Sequence, residues 1–369
     1  MKKSDFVFIL QSFLIWRIIL LLIVFIAPYF FPLQKHFLGG GLQNYLSAPW
    51  FWGWANFDGE HYLSIAQRGY GFGEQAFFPL YPWLIKLLGN VLGGGLSAYA
   101  WAGLAISNLS FVLALVGLYK LIRIDFQENI AKLVIILLLV FPASFYFGSV
   151  YTESVFLALV VWSFYFARRQ RWFLVAVLGM FASATRVVGI LLLPVLAIRK
   201  RSFWLLLIPF GLLAYMIFLR QTTGDPLKFL HALPSFGEQR SATPILLPQV
   251  FYRYIFKILP NLNYNYFPVV FSTLLEFIVA ILFLGFSVLS FFRLRLSYTL
   301  FLALGYLLPT LSGSFSSLPR YVLVLFPAFL LVSIYLSKAS KTTKLFTFFI
   351  LFVFNAISFM LFIRGYWLA

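Results

Sequence analysis

Long apolar runs separated by short polar stretches fill almost the whole chain, and this alternation sets the class of fold. Apolar runs of about 20 residues, the length that crosses a bilayer as a helix, recur from residue 6 to the C-terminus. Within each run the apolar positions are continuous rather than alternating with a period of two, which argues against a transmembrane β-barrel. The pattern therefore predicts an all-α polytopic membrane protein.

The runs predict a bundle of about eleven transmembrane helices in a single domain, residues 1–369, with a cytoplasmic N-terminus. Two long segments, 32–95 and 221–264, are predicted to lie on the extracytoplasmic side. The arms 172–184 and 187–198 are too short for a perpendicular crossing and predict a partial hairpin, or a pair beside a water-filled cavity. Among the predicted spans are 6–31, 96–121, 133–147, 203–219 and 298–311.

Charge supports the same class of protein. The chain has 28 Lys and Arg against 10 Asp and Glu, a net charge of +18. The cations form short clusters between apolar runs, which is typical of cytoplasmic loops beside anionic lipid head groups. No basic stripe with stacking aromatics lies outside the spans, so nucleic acid is not an expected partner. The absence of cysteine excludes disulfides and thiolate catalysis.

Three of the ten acids lie in the first predicted extracytoplasmic loop, 32–95, at Asp58, Glu60 and Glu74. A short helix is predicted over 59–67 and ended by Gly69. On that helix Asp58 and His61 share one face, whereas Glu60 points elsewhere. Asp58 has two compatible interpretations: a cap of the helix N-terminus, or a carboxylate that takes a proton from an incoming hydroxyl.

The segment 76–88 is predicted to be an amphipathic piece at the membrane surface, interrupted by Pro79 and Pro82. A loop that holds carboxylates and lies along the membrane suits a substrate with a lipid tail and a polar head. A loop that is merely packed against the bundle is the alternative interpretation of the same residues.

Several blocks of sequence carry a family resemblance. The stretch from Phe57 to Pro82, FDGEHYLSIAQRGYGFGEQAFFPLYP, resembles the first-loop pattern of the GPI mannosyltransferase 2 (PIG-V-like) family, with Phe57 where that pattern has Trp. Later blocks follow in family order along nearly the whole chain. They read YTES from Tyr151, ATRVVGILLLP from Ala184, TGDPLKFLHA from Thr223, LPRYVLVLFPAF from Leu318 and RGYW from Arg364.

The resemblance implies a glycosyltransferase of the GT-C superfamily, a multispan enzyme that uses a lipid-phosphate sugar donor. It implies transfer of a hexose, mannose in this family, from a polyprenyl (dolichyl) phosphate to a lipid-linked or glycan acceptor, with inversion at C1. By matching positions, Asp58 is the expected catalytic carboxylate with His61 and Glu74 as partners. Glu60 is a second candidate for the base, and the resemblance alone does not choose between the two acids.

The leaving phosphate predicts cations that face the same site, because guanidinium groups bind phosphate in a bidentate manner. Arg186 and Arg320 are the candidates, with Tyr321 beside Arg320 in the same block. Glu153 is expected to be a partner of these arginines or a ligand of the acceptor. Snorkelling or simple pairing with Glu153 is the structural alternative for each arginine.

Some choices stay open at the level of sequence. Acids in the first loop predict that a divalent cation, Mg²⁺ or Mn²⁺, is a candidate cofactor, but their spacing does not separate a metal-assisted enzyme from a metal-free one. A transporter or flippase of lipid-linked sugars is the alternative function. The expected location is a plasma membrane in a prokaryote or the endoplasmic reticulum in a eukaryote, with the active site on the extracytoplasmic side.

Overall fold

The computed structural model describes residues 2–237, 240–241 and 243–368. Throughout these residues the regular elements are helices and no strand occurs, which confirms the all-α prediction. The helices are α1 (Lys3–Ile26), α2 (Gly41–Ser47), α3 (Pro49–Trp52), α4 (Asp58–Arg68), α5 (Leu80–Val91), α6 (Leu96–Ile122), α7 (Glu128–Val140), α8 (Glu153–Arg168), α9 (Trp172–Thr185), α10 (Leu192–Ala197), α11 (Phe210–Thr223), α12 (Lys228–His231), α13 (Leu247–Arg253), α14 (Phe267–Ser290), α15 (Leu296–Thr310), α16 (Leu318–Val322), α17 (Phe326–Lys338) and α18 (Lys341–Ile363).

Helix length and hydropathy make the chain an integral membrane protein. In the described part of the chain, 5 helical segments are long and apolar enough to cross a bilayer: Lys3–Tyr29, Leu96–Ile122, Phe203–Thr223, Phe267–Ser290 and Lys341–Ile363. Shorter apolar helices are Trp172–Thr185, Val187–Ala197, Leu296–Thr310 and Phe326–Lys338. The count of about eleven spans stays a prediction.

The predicted helix 133–147 differs from the helix that forms. Helix α7 begins earlier, at Glu128, and ends at Val140. Pro142 explains the early end, because the residue before a proline is driven out of the helical region and Phe141 is extended (φ −61°, ψ 142°). A short 3₁₀ turn, Ser144–Gly148, follows with every side chain buried, so this part of the run packs inside the protein.

The first loop folds into short helices, and α4 lies close to where the sequence predicts it. The helix ends at Gly69, whose φ of 86° favours glycine. Its first residue is Asp58, however, and the cap position belongs to Phe57 with φ 56° and ψ −117°. The interpretation of Asp58 as an N-cap is therefore wrong, and its carboxylate is free of that task.

Helix α5 corrects a second expectation. The segment was expected to be interrupted by Pro79 and Pro82, yet a regular helix begins at Leu80 immediately after Pro79. Pro82 lies in the first turn, where a backbone N–H has no helical acceptor, so the proline costs no hydrogen bond. Both prolines start the helix rather than break it.

One large hydrophobic core holds the bundle together, and α6 and α8 pack closely against each other within it. Helix α8 also packs against α9, and α6 contacts the first-loop helices α4 and α5. The N-terminal residue of α8, Glu153, is thereby brought beside the first loop. This packing creates a cavity with charged side chains in its wall.

Candidate active site

A cavity of about 410 Å³ lies at the N-terminal end of α8. Its wall is largely aromatic and aliphatic, which is the usual composition of a ligand pocket. Charged side chains interrupt that wall: Asp58, Glu153, Arg186, Arg240 and Arg320.

These charges form a connected set of ion pairs around Arg320. Its Nη1 lies 2.5 Å from Oδ2 of Asp58, and its Nε lies 3.5 Å from Oε1 of Glu153. The same Glu153 oxygen accepts a hydrogen bond of 2.9 Å from Nη1 of Arg186. Arg320 is 6% exposed and Glu153 is 1% exposed, so neither side chain is a surface group that merely reaches water.

Glu153 carries an oxygen that the protein leaves unsatisfied. Oε1 serves both arginines, whereas Oε2 is buried and has no hydrogen-bond partner among the described residues. A buried carboxylate oxygen without a donor is costly. Oε2 therefore keeps its capacity to accept a hydrogen bond.

Backbone contacts bring Asp58 and Glu153 to one cavity although they are far apart in sequence. The amide N–H of Val150 donates to the carbonyl of Trp54 at 2.9 Å. The hydroxyl of Tyr151 donates to the carbonyl of Asn56, also at 2.9 Å. The segment before α8 is thus fastened to the residues that immediately precede Asp58.

Asn56 fixes the same segment to the C-terminal helix. Its side-chain amide donates to the carbonyl of Phe362 at 2.9 Å and accepts the amide of Gly39 at 2.8 Å. Asn56 is fully buried. Because it is satisfied on both sides, it holds the start of α4 in one position.

Arg320 is presented by an unusual turn. Ser317, which precedes α16, is in the left-handed region with φ 64°. Its amide donates to Oε1 of Glu276 at 3.3 Å, and the Tyr254 hydroxyl donates to the other oxygen of Glu276 at 3.1 Å. Glu276 lies inside α14, and sequence alone gives it no role; here it supports the turn that carries Arg320.

Aromatic rings surround the arginines of the cavity. The Arg320 guanidinium carbon lies 5.4 Å from the ring centre of Tyr151 and 5.3 Å from that of Tyr321. Tyr321 also lies 5.1 Å from the Arg186 guanidinium. One tyrosine ring therefore contacts both arginines, which keeps their guanidinium planes oriented.

Arg240 is a cavity residue that sequence reasoning missed. It comes from the second long loop, and its Nη2 donates to Oγ of Ser317 at 2.9 Å. No motif surrounds it, so only tertiary structure brings it to the cavity. Trp367 was also unassigned, although it lies in the terminal RGYW block and lines the same cavity.

His61 and Glu74 lie together, but not in the cavity wall. Oε1 of Glu74 lies 3.4 Å from Nδ1 of His61 and accepts the Ser64 hydroxyl at 2.7 Å. The His61 ring stacks on Phe77 at 4.8 Å, and Phe77 does line the cavity. This pair therefore supports a wall of the cavity from behind.

Charges around His61 shift its titration. Burial alone would lower the pKa of His61, but the bond to Glu74 and the charges of Asp58, Glu74 and Glu60 raise that pKa above its ordinary value. Burial likewise opposes the charge on Glu74, yet the contacts from His61, Gly71 and Ser64 hold the pKa of Glu74 below its ordinary value. The two groups favour a charged pair.

Glu60 lies outside the cavity wall as well. Burial raises the pKa of Glu60 to about 7. Its position on the other face of α4 separates it from Asp58, as the helical spacing predicts. Of the two acids in the first turn, Asp58 is the one that lines the cavity.

The acids of the first loop diverge rather than converge on a common point. Asp58 pairs with Arg320, whereas Glu74 binds His61, Ser64 and the Gly71 amide. In the described residues no three side chains of the His, Asp or Glu type gather as a metal-ligand set. A divalent cation prefers several oxygens free of competing cations, so the residues around Asp58 do not fit one.

The blocks that carry the resemblance meet at this cavity. They contribute Asp58, Glu153, Arg186, Arg320 and Tyr321, in addition to Trp367 from the terminal block. Phe229 and Leu230, from the block that begins at Thr223, line it too. Nearly 310 residues separate the first of these from the last, so their meeting is a property of the fold.

Comparison with known proteins gives a family. A model of the family described as Mannosyltransferase (PIG-V) matches residues 7–216. Among solved structures, ArnT from Cupriavidus metallidurans in the apo state is similar, with a TM-score of 0.49 and 17% identity over 91% of this chain. The chain spans 61% of the length of that ArnT chain. A comparison with curated proteins gives no match. Because the family model matches more than half of the chain, this protein belongs to the PIG-V mannosyltransferase family.

Proposed function

We propose that this protein transfers a mannosyl group from a polyprenyl-phosphate donor to a hydroxyl of a lipid-linked or glycan acceptor, with inversion at C1. One observation carries the proposal: two carboxylates and three arginines line one largely apolar cavity in a membrane protein of a mannosyltransferase family. Cations suit the donor phosphate, carboxylates suit the acceptor hydroxyl, and apolar walls suit a lipid-linked substrate.

In the proposed reaction, Arg186, Arg240 and Arg320 bind the donor phosphate. Arg320 contacts Asp58 before the donor arrives, so the phosphate competes with Asp58 for the guanidinium. The Asp58 carboxylate is then available to the acceptor. Binding of the donor thus frees the Asp58 carboxylate to act as the base. Without donor, Asp58 stays paired with Arg320 and is not available to the acceptor.

The bond changes balance around C1 of the mannosyl group. The acceptor oxygen forms a bond to C1 as its proton passes to the Asp58 carboxylate. The bond between C1 and the phosphate oxygen breaks on the opposite face, and its electron pair leaves with polyprenyl phosphate. The arginines stabilise the negative charge that develops on that phosphate.

Glu153 serves the same step through its unsatisfied oxygen. We assign Oε2 to a sugar or acceptor hydroxyl, while Oε1 keeps Arg186 and Arg320 in position. His61 and Glu74 hold the Phe77 wall and take no proton from substrate in this scheme. Tyr321 orients the two arginines that its ring contacts.

The distribution of charge supports an extracytoplasmic site. Lys120 lies in the last turn of α6 and Arg168 ends α8, whereas the cavity lies at the opposite end of α8. Clusters of Lys and Arg favour the cytoplasmic side of a membrane. We therefore propose that the cavity opens on the other side, where lipid-linked mannose would meet its acceptor.

The test is transfer of radiolabelled mannose from polyprenyl-phosphate mannose to added acceptor by purified protein in liposomes. Asp58→Asn should lower kcat by about 10²–10⁴-fold, because general-base catalysis contributes that much. Asp225→Asn is the control, since Asp225 is a partly exposed acid outside the cavity wall. Asp58→Asn removes one partner of a buried ion pair and lowers the melting temperature, so the assay is run at a temperature at which the variant is still folded.

Three outcomes separate the alternatives. Undiminished transfer by a folded Asp58→Asn variant would remove Asp58 from the reaction. Movement of the labelled donor across the liposome without any transfer would support the flippase alternative. A chelator arm tests the metal, and we expect less than a twofold change in rate.

A further inference from the structure

We infer a second binding site, for the head group of an anionic phospholipid, at the opposite end of α8 from the proposed active site. A cavity of about 650 Å³ lies there. Helix α8 has 16 residues, so at about 1.5 Å per residue roughly 22 Å separates Glu153 from Arg168. The inference does not depend on the proposed function.

Positive charge dominates the wall of this second cavity, which we call the cationic pocket. Five cations line it: Lys2, Lys120, Arg123, Arg168 and Arg169. Two acids, Asp5 and Glu128, also line it. The lining residues therefore carry a formal net charge of 5 − 2 = +3.

The acids at the pocket are already engaged. Asp5 accepts the backbone amide of Lys2 at 2.8 Å, and Glu128 pairs with Lys132 at 2.6 Å along α7. Asp125, on the loop beside the pocket, is bound by both Arg168 and Arg295. Positive charge therefore remains for a ligand after the acids of the protein have been counted.

Four of the five cations, Lys2, Lys120, Arg123 and Arg169, have no carboxylate partner within 4.0 Å in the described part of the chain, and the last three lie at the ends of α6 and α8. Lys120 lies 5.5 Å from the ring centre of Trp162, and Arg169 lies 5.6 Å from that of Tyr165. Arg123 donates only to the carbonyl of Phe126, at 2.8 Å. These side chains come from two different helix ends, so the folded bundle gathers them.

The surroundings favour a lipid over a free phosphate compound. Trp162 and Tyr165 are aromatic residues of the kind enriched at membrane interfaces. The first turns of α1 expose Phe6, Val7 and Leu10, and α6 exposes Leu113, about two turns before Lys120. The acyl chains of a phospholipid would cover such side chains, and its phosphate would contact the cations. Juxtamembrane Lys and Arg residues attract anionic lipids in this way.

The experiment uses the full chain in a mild detergent, with phosphatidylglycerol, phosphatidylcholine or soluble glycerol phosphate added. Native mass spectrometry counts retained lipid, and the melting temperature reports stabilisation. The wild type should retain phosphatidylglycerol and melt at a higher temperature with it. Phosphatidylcholine and glycerol phosphate should have at least tenfold weaker effects.

A matched pair of triple variants separates a defined pocket from a general attraction of the basic surface. Lys120→Gln/Arg123→Gln/Arg169→Gln should weaken retention at least tenfold. Lys338→Gln/Lys341→Gln/Lys344→Gln removes the same charge from the neighbouring ends of α17 and α18, outside the pocket lining. That control should retain phosphatidylglycerol as the wild type does.

Equal losses in the two triple variants would overturn the inference, as would equal retention of phosphatidylcholine by the wild type. Tight binding of glycerol phosphate would show a soluble ligand instead of a lipid. If the pocket triple does not fold, single Lys120→Gln and Arg169→Gln variants replace it, each with an expected threefold to fivefold loss. Wild-type retention in both single variants would then refute the pocket.

Discussion

The two ends of α8 hold charge in different ways. At the Glu153 end, arginines and carboxylates are buried and share partners, so each charge depends on a residue from a distant part of the sequence. At the Arg168 end, most cations lie near helix ends, line a cavity and have no carboxylate within 4.0 Å among the described residues. Buried, paired charge suits a site where a reaction changes the partners. Unpaired charge at a helix end suits an anion that arrives from the bilayer surface.

Removal of Arg320 should cause the largest loss of stability among the variants considered. Arg320→Ala leaves Asp58 and Glu153 without their shared cation, and loss of one partner of a buried pair costs about 3–5 kcal/mol of unfolding free energy. Arg295→Ala, at the other end, should cost at most about 1 kcal/mol because its side chain is half exposed. Denaturant unfolding in detergent measures both variants.

A compensated variant sharpens the same test. Arg320→Leu with Asp58→Asn removes Arg320 together with its nearest carboxylate and leaves Glu153 paired with Arg186; this double variant should recover most of the stability, but no activity. Equal stability of Arg320→Ala and Arg295→Ala would show that the buried pairs have no special weight.

Glu153→Gln tests the unsatisfied oxygen with a smaller expected change. The amide keeps the shape of the side chain and loses the charge that holds Arg186. We expect a fall in kcat/KM of about 10–100-fold, equal to about 1.4–2.8 kcal/mol of transition-state stabilisation. Steady-state kinetics with varied donor and varied acceptor show which substrate Oε2 binds. A loss confined to the acceptor KM would assign it to the acceptor hydroxyl.

High salt should weaken lipid retention at the cationic pocket several-fold more than it lowers the rate of mannosyl transfer. At 0.5 M NaCl the range of electrostatic attraction falls well below the roughly 8 Å of physiological ionic strength. Retention of phosphatidylglycerol at the cationic pocket should weaken, while kcat at saturating donor should change less than twofold because its ion pairs are buried. Native mass spectrometry and the mannosyl transfer assay give the two readings. An equal response of both would remove the distinction.

The smallest expected effect concerns pH and Glu60. Its pKa in the folded protein is about 7, above the ordinary 4.5, so its stabilising contribution is complete below pH 4.5 and is lost as pH rises through 7. Glu60→Gln should therefore melt about 2 °C above the wild type at pH 8 and at the same temperature at pH 5. Melting curves across that range test it, and a gap that widened toward low pH would reverse the sign.

Much of the fold follows from the sequence because apolar length and helix signals are local. The helix start at Leu96, the break between residues 184 and 187 and the glycine end of α4 are all predictable from neighbouring residues. The end of α7 was missed because hydropathy continued across Pro142, although backbone geometry did not. Pro82 was misread because a proline is tolerated in a first turn.

The site was only partly predictable, for a different physical reason. Asp58, Glu153, Arg186 and Arg320 belong to recognisable blocks, but nothing in a linear sequence shows which acid meets which arginine. Arg240 has no motif around it and comes to the cavity through its bond to Ser317. The separation of His61 and Glu74 from the cavity wall is likewise a matter of packing, since the His61 ring on α4 stacks on Phe77 and Glu74 contacts His61.

The left-handed backbone at Ser317 has a consequence for anyone who improves this protein by selection. A non-glycine residue in that region costs on the order of 1–2 kcal/mol, so glycine at position 317 relieves the backbone and is favoured when survival of heating is the criterion. The same change deletes the hydroxyl that accepts a hydrogen bond from Arg240. Selection for heat resistance would then favour glycine at position 317, whereas selection for turnover would favour serine. A library screened only for thermal stability would therefore lose activity.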